Sequence, residues 1–100
     1  MVIVIEGLHV RVDSPDDFTQ FYISASKGDD VGAVLYGNGF GYSNSESEHA
    51  MVSTDAIRAA VAGNVAHGWE DGFQGMLAYA AQKGWLEDDG KSVRAHIERR

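Results

Sequence analysis

The sequence predicts an α+β fold, in which helices pack against a β-sheet, and three observations carry this prediction. Apolar and polar residues alternate over Met1–Val12, which is the pattern of a strand. The same alternation returns over Ser92–Glu98. Between them, apolar residues from Val65 to Ala80 recur at spacings of three and four, the period of one helix face. Strands at both ends of the chain therefore surround helices that would cover one sheet.

The first predicted strand covers Met1–Val12. Both of its sides carry apolar residues, which indicates an inner strand whose two faces are covered to different extents. Gly7 interrupts the alternation and marks a predicted β-bulge.

A helix is predicted after this strand. Ser14 suits the capping position, Pro15 suits the first helical position, and the two acids that follow favour the positive end of a helix. Apolar residues from Phe18 to Ala25 share one face, and Gly28 ends the predicted helix.

A hairpin is predicted next, from Val31–Tyr36 and Phe40–Tyr42. Asn38-Gly39 separates these apolar runs, and both residues tolerate the positive φ of a tight turn. The glycine-rich turn lacks the Lys-Ser/Thr pair of a phosphate-binding loop, so the hairpin is the favoured interpretation.

Two helices are predicted in the second half, after a strand at His49–Ser53. Alternative caps before Ala56 start a helix that runs to about Val65. A longer helix runs from about Gly68 to Lys83, and Gly84 stops it. Glycines in this region leave open whether it forms one bent helix or two, and two are favoured.

Three glycines on one side of the longer helix need a physical reason, because each costs about 1 kcal/mol relative to alanine inside a helix. Close approach of another backbone, from the sheet or from a second subunit, would explain Gly68, Gly72 and Gly75. Alternatively, the helix starts later than its apolar pattern suggests.

The element order β-α-β-β-α-β matches the ferredoxin-like split βαβ plan, an antiparallel sheet with the helices on one face. In this plan the Val2–Val12 strand pairs with Val93–Ile97 or with the hairpin. The 100 residues are predicted to form a single α+β domain, residues 1–100.

Composition excludes several classes of function. The chain has no cysteine, so it offers neither disulfides nor thiolate chemistry. No apolar run approaches the about 20 residues that span a bilayer. We therefore expect a soluble, cytoplasmic protein that does not bind membranes.

Negative charge is concentrated in the first half of the chain. The net charge is −7, and residues 1–50 hold eight acids against two bases. Such a surface would repel a phosphate backbone, so no nucleic-acid binding is expected. An acidic face would attract a basic protein partner, or it would only keep a small protein soluble.

Five residues are candidates for chemistry: His9, His49, His96, Glu48 and Arg94. In the predicted sheet the three histidines would share one face. With a carboxylate they would suit zinc or non-haem iron, but no His-x-His or similar ligand pair is present, so neither metal nor cofactor is predicted. The alternative is three separate histidines at solvent-exposed strand positions.

Acid–base chemistry is a second possibility for these residues. Glu48, or Glu98, would form a proton-transfer pair with a neighbouring histidine, and Arg94 would hold a carboxylate or an enolate. Exposed aromatic residues, with Tyr36, Tyr42 and Tyr79 as candidates, would line an open sheet face that binds an apolar molecule or a second copy of the chain.

Val2–Gly7, the helix predicted after Ser14-Pro15, and Gly32–Tyr36 follow one another in an order that resembles small ferredoxin-like dimeric proteins of the antibiotic-monooxygenase type. The resemblance covers less than half of the chain. It implies a homodimer with a pocket between sheet and helices, and it transfers no catalytic residue.

Two functions follow from these observations. The favoured one is a non-enzymatic protein-interaction module, of the regulatory, inhibitor or immunity type, that binds through its acidic half. The alternative is a small dimeric enzyme or ligand-binding protein, similar to a monooxygenase, whose site would be built from the five candidate residues around a concavity. A homodimer is expected in both cases.

Overall fold

The computed structural model describes residues 1–43 and 48–100. These residues form six strands and three helices, which fit the α+β class predicted from the sequence. In chain order they are β1 (Val2–Glu6), β2 (His9–Asp13), β3 (Tyr22–Ala25), α1 (Val31–Gly37), β4 (Gly41–Tyr42), β5 (His49–Ser53), α2 (Thr54–Val61), α3 (Trp69–Gln82) and β6 (Ser92–Arg99).

The six strands form one curled sheet with the order β2-β1-β3-β6-β5-β4. The sheet is mixed, and the prediction of an antiparallel sheet is wrong: β3 runs parallel to both β1 and β6, while the outer pairs are antiparallel. Because β3 lies between β1 and β6, the predicted pairing of Val2–Val12 with Val93–Ile97 does not occur. This strand order differs from the ferredoxin-like split βαβ plan.

The predicted bulge in the first strand is a turn. Gly7 has a φ of +59°, and the chain reverses there so that β1 and β2 pair from Val2↔Asp13 to Glu6↔His9. Positive φ costs glycine little, which explains its presence at this turn. Both apolar sides of β1 are buried, as its composition predicted.

The helix predicted after Ser14 is absent, and a loop leads instead to β3. Ser14 has a φ of +48°, whereas a capping residue needs extended backbone. The Asp17 carboxylate accepts a hydrogen bond from the Thr19 backbone N–H at 3.0 Å, which forms a local turn. From Tyr22 onward the residues alternate between half-buried and buried, so the true period is that of a strand.

The hairpin predicted at Val31–Tyr36 is also wrong, because this segment is helix α1. The Asp30 side chain caps the helix by accepting a hydrogen bond from the Ala33 N–H at 3.1 Å. Val31, Val34 and Leu35 are buried, at the spacing of one helix face.

Asn38-Gly39 ends α1 instead of turning a hairpin. The Asn38 amide donates to the Val34 carbonyl at 2.8 Å and to the Leu8 carbonyl at 2.9 Å. Gly39 follows with a φ of +67°, the left-handed conformation that commonly terminates helices. The bonds from Asn38 also tie α1 to the β1–β2 turn.

The second half follows the prediction of two helices. Ser53 caps α2 by accepting from the Ala56 N–H at 3.1 Å. Arg58 of α2 joins the two helices through hydrogen bonds from Nε and Nη2 to the carboxylate of Glu70 in α3, both at 3.0 Å.

The buried side chains of all three helices join one core with the sheet residues Ile3, Ile23 and Val93. At its centre Phe73 is fully buried and stacks on Trp69, with ring centroids 4.8 Å apart. No helix in the described part of the chain is long and apolar enough to cross a membrane.

The three glycines of the α3 region have three different surroundings. Gly68 is the residue that caps α3, so it precedes the helix and lies outside it, as the alternative of a later helix start requires for this glycine. Gly72 lies inside the helix against the ring of Phe18, a side chain and not the expected backbone. Gly75 has no neighbour that an added Cβ would meet within 4 Å.

Candidate functional site

A gap beside the central strand β6 creates a pocket in the described structure. The first part of β6 is flanked by Trp85 and Leu86, because Leu86 bridges to Val93 and the Arg94 N–H donates to the Trp85 carbonyl at 2.8 Å. Further along, β3 takes over this side and pairs from Ile97 onward. Around Ala95, this side of β6 is covered neither by Trp85 and Leu86 nor by β3.

The pocket at this gap has a volume of about 290 Å³. We call it the aromatic pocket, because Phe18, Phe21, Tyr79 and Trp85 line it. Tyr79 and Trp85 meet edge to face, with ring centroids 6.1 Å apart. Such a lining suits an apolar or aromatic guest.

Contacts from distant parts of the chain position the loop that carries Phe18 and Phe21. The Trp69 indole N–H donates to the Pro15 carbonyl at 2.8 Å. The backbone nitrogen of Met1 donates to the Gln20 carbonyl at 2.9 Å. Phe18 also packs against Trp69, with ring centroids 6.0 Å apart. The loop is therefore fixed against α3 at one end and β1 at the other.

Besides Thr19 and Gln20 of the loop, the polar residues that line the pocket are Arg94, His96 and His49, which lie on β6 and β5. His49 and His96 are directly opposite each other in the antiparallel ladder. The Ile97 N–H donates to the Glu48 carbonyl at 2.7 Å, so the adjacent pair, Glu48 and Ile97, is a hydrogen-bonded pair of the ladder. The two histidines therefore occupy a non-hydrogen-bonded position, where side chains are closest.

Arg94 differs from the other four arginines of the chain. Its side chain forms no hydrogen bond or ion pair with residues 1–43 or 48–100, and it is exposed. The others donate to carboxylates, hydroxyls or backbone carbonyls; they are Arg11, Arg58, Arg99 and Arg100. Arg94 is thus available to a ligand.

The structure brings together three of the five predicted site residues. Arg94, His49 and His96 line the aromatic pocket. His9 lies on the edge strand β2, separated from β6 by β1 and β3, so it does not converge with them. Glu48 precedes β5, and it is not among the described pocket-lining residues. The predicted gathering of three histidines on one site is therefore wrong.

The residues that the structure describes contain no group of three His, Asp or Glu side chains placed to hold a metal ion together. Near the pocket, His96 lies 3.7 Å from the Glu98 carboxylate, and both side chains are about half exposed. The Tyr22 ring stacks on His96 with centroids 5.9 Å apart. These two contacts, with the Glu98 carboxylate and the Tyr22 ring, orient the His96 imidazole.

The aromatic walls were the part of this site that sequence reasoning missed. Phe18 and Phe21 were assigned to a helix face, but they belong to the loop that closes the pocket. Tyr79, proposed as an exposed ligand-binding aromatic, does line the pocket. Tyr36 and Tyr42, proposed with it, are exposed elsewhere. Only the strand pairing reveals which aromatic residues meet.

A second concavity, of about 380 Å³, lies on the sheet near β1 and β2. Its cations are already engaged: Arg11 donates to Asp13 at 2.9 Å and pairs with Glu6, and Arg100 donates to the Ser24 hydroxyl at 2.7 Å. The hydrogen bond from Arg11 lowers the pKa of Asp13. Because the donors of both arginines are already engaged within the protein, this concavity offers a ligand less than the aromatic pocket does.

The fold and pocket together define the class of protein: an α+β protein with a curled, mixed six-stranded sheet and an aromatic pocket beside its central strand. No protein-family model, curated protein or solved structure significantly matches this chain.

Proposed function

We propose that this protein binds a small, largely apolar ligand in the aromatic pocket. The observation that carries the proposal is the combination of four aromatic walls with the basic side chains of His49, Arg94 and His96 at one gap in the sheet. Ligand sites are typically apolar concavities of about 300–1,000 Å³ with a few polar groups that orient the ligand. A volume of about 290 Å³ suits a molecule with one or two rings.

The proposal assigns binding to the site and no catalytic step. His49 and His96 face each other across the ladder, and Arg94 is two residues from His96 on the same strand. Arg94 and His96 donate hydrogen bonds to a polar end of the ligand, while the aromatic walls hold its rings. This develops the ligand-binding alternative from the sequence, without its monooxygenase-like chemistry.

Tyr79 allows a matched test, because Tyr36 is a comparable exposed tyrosine away from the pocket. Tyr79 is 55% exposed and Tyr36 is 79% exposed. Saturation-transfer NMR with indole, a neutral aromatic probe, should detect saturable binding to the unmodified protein. Tyr79→Ala should weaken it, because the edge contact with Trp85 and one wall of the pocket are lost.

Tyr36→Ala should leave indole binding unchanged. Absence of saturable binding to the unmodified protein would contradict the proposal. Equal losses in the two tyrosine variants would show that indole binds outside the aromatic pocket.

Binding of a basic protein partner is the second candidate function. Many acids of the first half have local structural roles, as Asp13, Asp17 and Asp30 illustrate. The observation that favours the candidate lies elsewhere: Glu87, Asp88 and Asp89 are three consecutive exposed acids on one turn. Glu87 and Asp89 accept hydrogen bonds from the Tyr42 hydroxyl and the Lys91 N–H, whereas the Asp88 carboxylate accepts none from the described residues.

A lysine-rich peptide tests this electrostatic candidate. Its binding should weaken as salt rises from low to physiological concentration, because screening shortens the range of exposed charges. Asp88→Asn should reduce binding more than Asp16→Asn, which removes the same charge from another exposed position. Salt-independent binding would exclude this mode of interaction.

A homodimer remains a prediction for either function. Exposed Tyr42 on the edge strand β4 is a candidate contact. Light scattering coupled to size exclusion would measure the mass directly, and a monomer at all concentrations would contradict it.

A further inference from the structure

We infer that the ligand of the aromatic pocket is an organic anion, an aromatic or arylalkyl carboxylate whose carboxylate is bound by Arg94. This inference rests on the proposed ligand-binding function and adds the chemical class of the ligand. The positive charge of the pocket, which Arg94 supplies, the free donors of its guanidinium and the shape of the gap support it.

The charge of the pocket is opposite to that of the whole protein. The chain carries a net charge of −7. None of the 13 described residues that line the pocket is acidic, and Arg94 is the lining residue with a permanent charge. Arg94 therefore gives the lining a positive charge that attracts anionic ligands locally, while the Glu98 carboxylate, 3.7 Å from His96, lies outside the lining.

Arg94 has the geometry that a carboxylate needs. Its planar guanidinium presents parallel N–H groups that match both carboxylate oxygens, which a lysine ammonium does not. No described residue occupies those donors. His96 lies two residues along β6, and therefore on the same side of the strand, where its ring can donate a further hydrogen bond.

Ala95 lies between these two residues, at the uncovered part of β6, and it is buried. Ala95 lines the pocket together with Phe21 and Trp85, and its side chain lies on the opposite face of β6 from Arg94 and His96. A ring held between Phe21 and Trp85 would place an attached carboxylate towards Arg94. A short linker between ring and carboxylate fits this arrangement.

Isothermal titration calorimetry with 3-phenylpropionate and its neutral isostere 3-phenylpropionamide tests the inference. The carboxylate should bind about tenfold more tightly than the amide, the difference expected for an accessible charge-assisted bidentate contact. Arg94→Gln should remove this preference while amide binding persists. Arg94→Lys should keep only part of it, because the charge remains but the fork is lost.

Lys91→Gln is the matched control. It removes one exposed positive charge just before β6, outside the aromatic pocket. The preference for the carboxylate should survive this change. If Lys91→Gln reduces it as much as Arg94→Gln does, the preference comes from overall charge, and the inference is overturned.

The two ligands separate failure of the inference from failure of the proposed function. Equal affinity for 3-phenylpropionate and the amide would overturn the anion inference and leave ligand binding intact. If neither ligand binds, and indole does not bind either, both the proposed function and the inference are overturned. Circular dichroism of each variant confirms that it is folded.

Discussion

Gly72→Ala is predicted to be neutral or destabilising, whereas Gly75→Ala in the same helix should stabilise the protein. Both changes replace one hydrogen by a methyl group within α3. An added Cβ at position 72 would clash with Cε2 of the Phe18 ring, and it would lie 2.9 Å from Cδ2 and 3.0 Å from Cζ of the same ring. At position 75 it would meet nothing within 4 Å.

The magnitudes follow from two opposing effects. Alanine is favoured over glycine inside a helix by about 1 kcal/mol, so Gly75→Ala should raise the free energy of unfolding by about that amount. Gly72→Ala gains the same helix propensity, but overpacking against Phe18 costs about 1–3 kcal/mol. Its net effect is a loss of about 0–2 kcal/mol, so the two variants differ by at least about 1 kcal/mol.

Urea denaturation followed by circular dichroism measures both free energies, and thermal melts give a second reading. In a domain of this size, 1 kcal/mol shifts the Tm by about 4–8 °C. In a Phe18→Ala background the penalty should vanish, so that Gly72→Ala becomes stabilising. Equal stabilisation by the two alanines in the unmodified background would refute the Phe18 contact and the loop position that depends on it.

The remaining predictions concern the core, a helix cap and an ion pair. Phe73→Ala should cost about 3–5 kcal/mol in urea denaturation, because the ring is fully buried; a loss below 1 kcal/mol would contradict its central position. Asp30→Ala should cost about 1 kcal/mol through loss of the α1 cap, and an unchanged denaturation midpoint would contradict that role. The hydrogen bond from Arg58 lowers the pKa of Glu70, so the stabilisation by this pair should be present at neutral pH and disappear as the pH falls through the lowered pKa. The free energies of unfolding of Glu70→Gln and of the unmodified protein should differ by about 0.5 kcal/mol at pH 7 and converge once the pH is below the lowered pKa of Glu70, and a pH-independent difference would contradict the ion pair.

The second half of the fold was predictable because its periods are long and consistent. The apolar positions of α3 repeat over several turns, and Phe73 and Leu77 are buried as that repeat requires. The strand pattern of β6 likewise places Val93 and Ala95 inside. Such segments carry their structure in their own sequence.

The first half was not predictable in the same way, because short segments satisfy two periods at once. The spacing of Phe18, Phe21 and Ala25 fits a helix face, yet Ile23 and Ala25 also fit a strand inserted between β1 and β6. Asn38-Gly39 ends a helix as readily as it turns a hairpin. Tertiary pairing, which local sequence does not encode, decided each case.

The candidate site likewise contains residues that the sequence predicted and residues that it did not. Arg94 and His96 were identified because they alternate along a recognisable strand. Their aromatic partners Phe18 and Phe21 were not, because the insertion of β3 determines where that loop lies. The convergence of His9 failed for the same reason, since β3 moves β1 and β2 away from β6.

An amide NMR titration with 3-phenylpropionate tests most directly whether the aromatic pocket is the binding site. Saturable shifts should concentrate in residues 18–21 and 93–96, which border the gap in the sheet. Saturable shifts centred instead on Arg11 and Arg100, or no shifts at saturating ligand, would contradict the proposed site.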